Sequence, residues 1–247
     1  MMVDLLDFEQ MTGRAVQAFW KNRREAHQNS VENDESRRSD ERSAVTAGKN
    51  MDGFVDLVNS LVMATGPSTA VVHQRKNLLI LPGFFRPTKR WDVLVINEGR
   101  LIAALEFKSQ VGPSFGNNFN NRAEEAIGSA QDLWTAFREG AFGEQTRPFV
   151  GWLILVEDSD KSRAPVGVDE PHFPVSEEFH GASYVDRYNL LGRKLVQEGL
   201  YSAATVLASP KSAERDGTYM ELSELTGMKT FLSGLAGHFA AEEVRQL

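Results

Sequence analysis

Cysteine is absent from the 247 residues. That excludes disulfides, thiolate metal sites and a cysteine nucleophile, and it agrees with a cytoplasmic chain. No apolar run reaches the roughly 18 residues that a membrane-spanning helix needs. The acidic N-terminus lacks the basic-then-apolar start of a secretory signal. There is no internal repeat and no glycine-rich phosphate loop of the Walker type. Positive charge is also in short supply: 27 Lys and Arg against 34 Asp and Glu give a net charge of −7. Non-specific nucleic-acid affinity is built from phosphate neutralisation, so this balance argues against a general nucleic-acid coat and leaves room only for a local basic surface. The remaining composition, 41% apolar and 25% charged, is that of a soluble globular protein. A chain of this length can bury a full core, and a single domain over 1–247 is expected.

The residues that carry chemistry lie between Arg90 and Gln110. Apolar runs on either side of Asn97, Glu98 and Gly99 read as two strands joined by a tight turn. Three charges interrupt them: Asp92, Glu106 and Lys108. A buried strand carries charge only when that charge is paired or holds a metal. Strand side chains alternate, so Glu106 and Lys108 share a face and Phe107 points away. A three-residue loop with Gly99 in the left-handed position pairs Ile96 with Arg100. It sets Asp92 opposite Ala104, as a diagonal neighbour of Glu106 roughly 7–8 Å away, within reach of a shared metal. A two-residue loop puts Asp92 opposite Leu105 and weakens the case. Paired carboxylates suit a hard cation such as Mg²⁺. Lys108 is placed to orient a water or to stabilise phosphate charge.

Trp91-Asp92 followed by Glu106-Phe107-Lys108 resembles the PD-(D/E)XK nuclease signature, with Trp91 in place of the usual proline. Three longer strings resemble the XhoI-type restriction endonucleases: Asp4 to Val16, Phe107 to Asn118, and Asn120 to Gly128. That resemblance covers the chain end to end. It implies an endonuclease-like α/β core, a mixed central sheet flanked by helices, with an acidic site at one end. It also implies Mg²⁺-dependent cleavage of double-stranded DNA at the palindrome CTCGAG, after the first C, leaving 5′-phosphates. Asp92 and Glu106, helped by the Phe107 carbonyl, would hold the metal. A homodimer follows from the palindrome, and a cognate DNA methyltransferase is expected in the cell.

Around this centre the pattern predicts helices over Asp4–Gln28, Gly48–Ala64, Arg122–Glu139, Tyr184–Leu200 and Glu221–Arg245. Strands are predicted over Ala70–Gln74, Leu78–Leu81, Pro148–Glu157 and Ser202–Leu207. Residues 30–43 are polar and read as a mobile charged loop or a solvated helix end. Lys21, Arg23 and Arg24 suit a helix C-terminus or DNA-backbone contact. Asp52 is a candidate extra acid, against an ordinary solvated one. Arg86, Lys89 and Arg90, just before Asp92, are candidate phosphate contacts or a solvated hairpin end. A loop from Pro113 to Arg122 offers Asn117, Asn118, Asn120, Asn121 and Arg122 for base reading, although Asn121 also suits a helix cap. The long stretch 158–183 holds His172 and His180 without metal-ligand spacing. Two rival functions stay open: a structure-selective repair or junction nuclease on the same core, and a non-catalytic DNA-binding domain.

Overall fold

The structure is a computed structural model and describes residues 5–32 and 51–245. Of the polar stretch 30–43, the first three residues belong to the opening helix and the rest lie outside the described residues. The main helices are α1 (Leu5–Glu32), α2 (Asp52–Thr65), α3 (Phe115–Arg138), α4 (Tyr184–Gln197) and α5 (Met228–Val244). The strands are β1 (Val71–His73), β2 (Ile80–Pro82), β3 (Thr88–Arg90), β4 (Val93–Asn97), β5 (Arg100–Gln110), β6 (Phe149–Glu157), β7 (Ala203–Ser209) and β8 (Met220–Glu221). Six strands form one mixed sheet in the order β1-β4-β5-β6-β7-β8, with β2 and β3 paired separately. The pairs β5–β6 and β6–β7 are parallel and the others antiparallel. This is the mixed α/β core that the alternating strand and helix patterns imply.

Each sheet face carries its own core. Val93, Val95, Leu105, Phe107 and Leu153 pack against α1, α2 and α5. Leu94, Ala104, Trp152 and Ile154 pack against α3 and α4, together with Leu81 and Trp91 from the β2–β3 side. Continuous burial of β6 and β7 explains their largely apolar sequences, since both neighbours and both faces are covered. Among the described residues, no helix is long and apolar enough to cross a membrane.

The turn before β5 differs from the expected three-residue loop. It has two residues, Glu98 and Gly99, at φ 48° and 79°, and Asn97 pairs with Arg100. Positive φ at both central positions suits the right-handed twist of a hairpin. The register then shifts: Ile96 pairs with Leu101 but Val95 pairs with Ala103, so Ile102 is an extra residue on β5. This bulge adds a second one-residue shift to the one made by the shorter turn, so the two together move the register by two residues and return the side chains to the expected face. Val93 meets Leu105, and Asp92, the residue just before β4, holds to the same stretch of β5: its N–H donates to the Leu105 carbonyl and its Oδ2 accepts the Phe107 N–H, so it flanks Glu106 rather than facing Ala104.

Two further differences have local causes. The segment 113–122 is not a loop, because α3 begins at Phe115 and its N-cap is Ser114, not Asn121. Phe115 stacks on Tyr184 at 5.7 Å between ring centroids and Phe119 meets Tyr188 edge-on at 5.2 Å. With Ala123 they form an i, i+4, i+8 inward stripe that overrides the weak helix preference of the asparagines. The final helix starts at Met228 and not Glu221, which instead lies in β8 and accepts the Met228 N–H at 2.8 Å.

Gly151 on β6 lets α5 close over the sheet, since a Cβ there would lie 2.6 Å from Leu105 Cδ2 and 2.8 Å from Phe231 Cζ. Gly151→Ala is therefore expected to lower stability by about 1–3 kcal/mol through overpacking. A lower urea midpoint with an unchanged slope checks this.

Candidate active site

Asp92 and Glu106 stand side by side because two antiparallel strands and one bulge put them there. Glu106 is 1% exposed, and a carboxylate so placed requires partners. It has three. Lys108 Nζ lies 2.9 Å and Lys89 Nζ 3.0 Å from the same oxygen, Oε1. The other oxygen, Oε2, accepts from the Tyr201 hydroxyl at 3.2 Å, and that hydroxyl also reaches the Ala126 carbonyl at 3.0 Å. Burial opposes the charge on Glu106, but the two lysines outweigh it and hold the carboxyl below its ordinary range. Lys108 is shifted upward: burial works against its charge, and Glu106 and Asp92 more than compensate. Its two carboxylate neighbours thus hold it as a cation.

Asp92 sits just before β4, where its side chain retains accessible surface. Crowding by protein on its other sides raises its pKa, against the pull of Lys108 and of the Phe107 N–H. That N–H donates to Asp92 Oδ2 at 2.7 Å, and the Asp92 N–H donates to the Leu105 carbonyl at 3.1 Å. In an extended strand the N–H and C=O of one residue point to the same side, so the Phe107 carbonyl also faces Asp92. Its ring faces the opposite core and meets Phe54 of α2 at 6.5 Å. Glu106, Lys108 and Lys89 line an open cleft of about 480 Å³, walled by Phe85 and Arg86 on one side and by α3 residues 124–132 on the other. Among the described residues, no cluster of three or more His, Asp or Glu groups forms a ready metal cage.

The other sequence candidates divide. Lys89 belongs to the carboxylate cluster itself, and its Nζ also lies 4.8 Å from the centre of the Trp91 ring. Arg86 is bound to Asp132 through Nε at 2.8 Å. Arg90 is exposed on β3. Asn117, Asn120 and Asn121 are exposed on the outward side of α3, with Asn118 and Arg122 partly covered. Arg122 pairs with Glu125 at 2.5 Å, and Glu125 lies 3.9 Å from Lys108. Asp52 is exposed in the first turn of α2, on the Phe107 side of the sheet. Arg24 is paired with Glu214 at 2.5 Å. His180 pairs with Glu170 at 3.1 Å, away from the cleft residues. Sequence reasoning missed Tyr201 as a partner of Glu106. It is separated by 95 residues and arrives on the parallel β6–β7 side, which no local spacing announces.

Fold and site together define an α/β protein of restriction-endonuclease-like architecture. The family model described as "Restriction endonuclease XhoI" matches residues 30–221. The chain is 50% identical over 212 residues to Type II restriction enzyme XhoI of Xanthomonas vasicola, covering 85% of this chain and 84% of that one. It is 56% identical over 180 residues to AbrI of Azospirillum brasilense, covering 71% and 78%. It is 48% identical over 206 residues to BstVI of Geobacillus stearothermophilus, covering 81% and 92%. Both are Type II restriction enzymes. No solved structure matches. The chain belongs to the XhoI family of restriction endonucleases.

Because its folded pKa is depressed, ionised Glu106 stabilises the fold above its ordinary value near 4.5, and that contribution is lost as pH falls through the lower folded value. Lys89→Ala removes one of the two cations, so the Glu106 pKa is expected to rise and the acid loss of stability to begin at higher pH. The expected penalty at neutral pH is about 1–3 kcal/mol. Thermal melts of both proteins across pH 3–8 check the direction.

Proposed function

We propose that the protein is a Mg²⁺-dependent Type II site-specific deoxyribonuclease that hydrolyses double-stranded DNA at a palindrome, CTCGAG by family resemblance, leaving 5′-phosphates. The observation that carries the reading is that Asp92 is bonded to the Leu105 carbonyl and the Phe107 N–H on either side of Glu106, with Lys108 2.9 Å from Glu106. A single domain over 1–247, acting as a homodimer in the cytoplasm beside a cognate methyltransferase, completes the proposal.

The donor set fits a hard divalent cation. Asp92, Glu106 and the Phe107 carbonyl supply oxygen ligands on one edge, and such ions accept a few carboxylates with water in the remaining positions. Asp52 is the candidate additional acid, since the contact between Phe54 and Phe107 brings its turn beside the same part of β5. The ion, when bound, supplies water activation and charge stabilisation at the phosphate. Glu106 must present Oε1 for this role, so Lys89 and Lys108 have to give up part of their hold on it. The cations so released face the cleft, where a scissile phosphate brings negative charge. Lys108, protonated, orients the attacking water or stabilises the charge growing on the phosphoryl oxygens. Tyr201 fixes Oε2 and thereby the rotamer of Glu106.

The outward face of α3 is the proposed base-reading surface. Asn117, Asn120 and Asn121 are its exposed amides, with Asn118 and Arg122 behind them, and this face begins one helical turn from Glu125 at the cleft. Arg90, with Lys89 and Arg86 nearer the cleft, supplies phosphate contact, which holds the duplex without reading it.

Plasmid digestion tests the reading against its rivals. Discrete fragments with Mg²⁺ and none with chelator support it. Structure-dependent nicking would favour a repair or junction nuclease, and binding without any cleavage would favour a non-catalytic module. Asp92→Ala should abolish cutting yet keep duplex binding, because it removes a ligand and not a phosphate contact. Lys108→Ala should slow single-turnover cleavage about 10²-fold or more, with incomplete rescue by Lys108→Arg, whose planar fork does not replace a point charge.

Titrations of cognate and scrambled duplexes at several salt concentrations separate base reading from phosphate binding. Alanine at Asn117, Asn120 or Asn121 is expected to reduce discrimination by about 1–3 kcal/mol for each bidentate pair with a base that it removes. Arg90→Ala is expected to weaken both duplexes alike and to reduce the salt slope by about one.

A further inference from the structure

The tip between β2 and β3 holds a feature that the hydrolytic chemistry does not use. Phe84 and Phe85 are 51% and 70% exposed, with their rings edge to face at 5.0 Å. A single exposed apolar side chain needs no explanation. Two adjacent ones on a rigid mount do. The mount is Asp132 of α3, itself 3% exposed. Its Oδ1 accepts the N–H groups of both Phe84 and Phe85 at 2.8 Å, and its Oδ2 takes Arg86 Nε at 2.8 Å. The Gly83 N–H closes the loop on the Pro87 carbonyl at 3.2 Å. No side chain fits at Gly83: a Cβ there would lie 2.4 Å from the Arg86 carbonyl oxygen and 2.7 Å from Asp132 Oδ2. A buried carboxylate, an ion pair and an obligatory glycine thus fix the backbone of two phenylalanines whose rings stand in water.

Their position gives them a use. Phe85 lines the same cleft as Glu106 and Lys108. A duplex whose phosphate enters that cleft carries its flanking nucleotides past the tip. Phenylalanine offers nothing to a phosphate, and the apolar part of DNA is the face of the bases. Rigid apolar side chains at DNA interfaces enter between base steps, unstacking them and kinking the duplex, and aromatic rings stack on exposed bases. A second copy of this chain is a poor occupant. A five-residue tip offers far less than the roughly 800 Å² per partner of a standard interface.

We propose that the Phe84–Phe85 tip is a wedge that enters the base stack beside the scissile phosphate, with Gly83 and Asp132 as its positioning residues. It rests on the nuclease reading above and deepens it. Part of the sequence preference would then come from how easily the flanking step unstacks, at positions that make no hydrogen bond to the protein.

Stopped-flow fluorescence with Mg²⁺ tests it, with enzyme in excess over duplexes carrying 2-aminopurine inside and on either side of the recognition site. Cleavage is followed in parallel by chemical quench. The wild-type protein should show a fluorescence rise at one or two positions before cleavage. Phe85→Ala and Phe84→Ala, exposed and therefore harmless to folding, should lose that rise and bind the duplex about ten- to a hundredfold more weakly, whereas Phe85→Trp should keep it. Absence of any rise ahead of normal cleavage overturns the wedge and leaves the nuclease standing, as does an undiminished rise in the alanine variants. If the wild-type protein does not cleave at all, the nuclease reading fails first, and the wedge with it. Conversion of a dimer to monomers by Phe84→Ala or Phe85→Ala would assign the surface to a second copy and overturn the proposal.

Discussion

Glu106 is the constraint on which the rest of the site depends. A carboxylate with 1% exposure survives ionised in a protein interior only with partners. The chain brings them from three places: Lys108 from the same strand, Lys89 from the neighbouring hairpin and Tyr201 from the entrance to β7. With both lysines on one oxygen, Glu106 is stable and occupied. Removing a partner from such a group is destabilising, because an uncompensated buried charge remains. The attractions that hold the arrangement together are the ones that the proposed function requires to loosen.

Much of the architecture serves to hold that one edge still. β5 is flanked by antiparallel β4 and parallel β6, and both faces are covered by helices, so the backbone under Glu106 has little freedom. Trp91, buried at 2%, anchors the chain between the small hairpin and the main sheet, and its backbone N–H donates to the Leu79 carbonyl at 2.8 Å. That anchor fixes Lys89 and Asp92 on either side of it. The α3 helix contributes opposite ends of itself to different tasks: its outward amides near the N-terminus, Glu125 near Lys108, and Asp132 under the hairpin tip.

The mixed sheet, most strands and the Asp92–Glu106–Lys108 face were legible because a two-residue period and misplaced charges are strong local signals. The register was legible only in part. Glu98 at φ 48° is an unfavoured left-handed residue, so nothing favoured the two-residue turn over the longer one, and a bulge at Ile102 has no sequence mark between Leu101 and Ala103. The expectation reached the correct face through the wrong loop, since the bulge compensated for the turn. The start of α3 was hidden by its asparagines, although the spacing of Phe115, Phe119 and Ala123 carried the helical period. Tyr201 and Asp132 were out of reach, because their roles depend on contacts across 95 and about 46–48 residues that only the folded chain creates.

Single-turnover cleavage of a cognate duplex by Glu106→Gln tests the cleaving centre most directly. Glutamine keeps the size of the side chain and its contact with Tyr201 but removes the charge. If Asp92 and Glu106 form the centre, this variant folds, binds the duplex and cuts about 10²–10³-fold or more slowly at saturating Mg²⁺. A rate close to that of the wild-type protein would contradict the assignment and move the chemistry elsewhere on the chain.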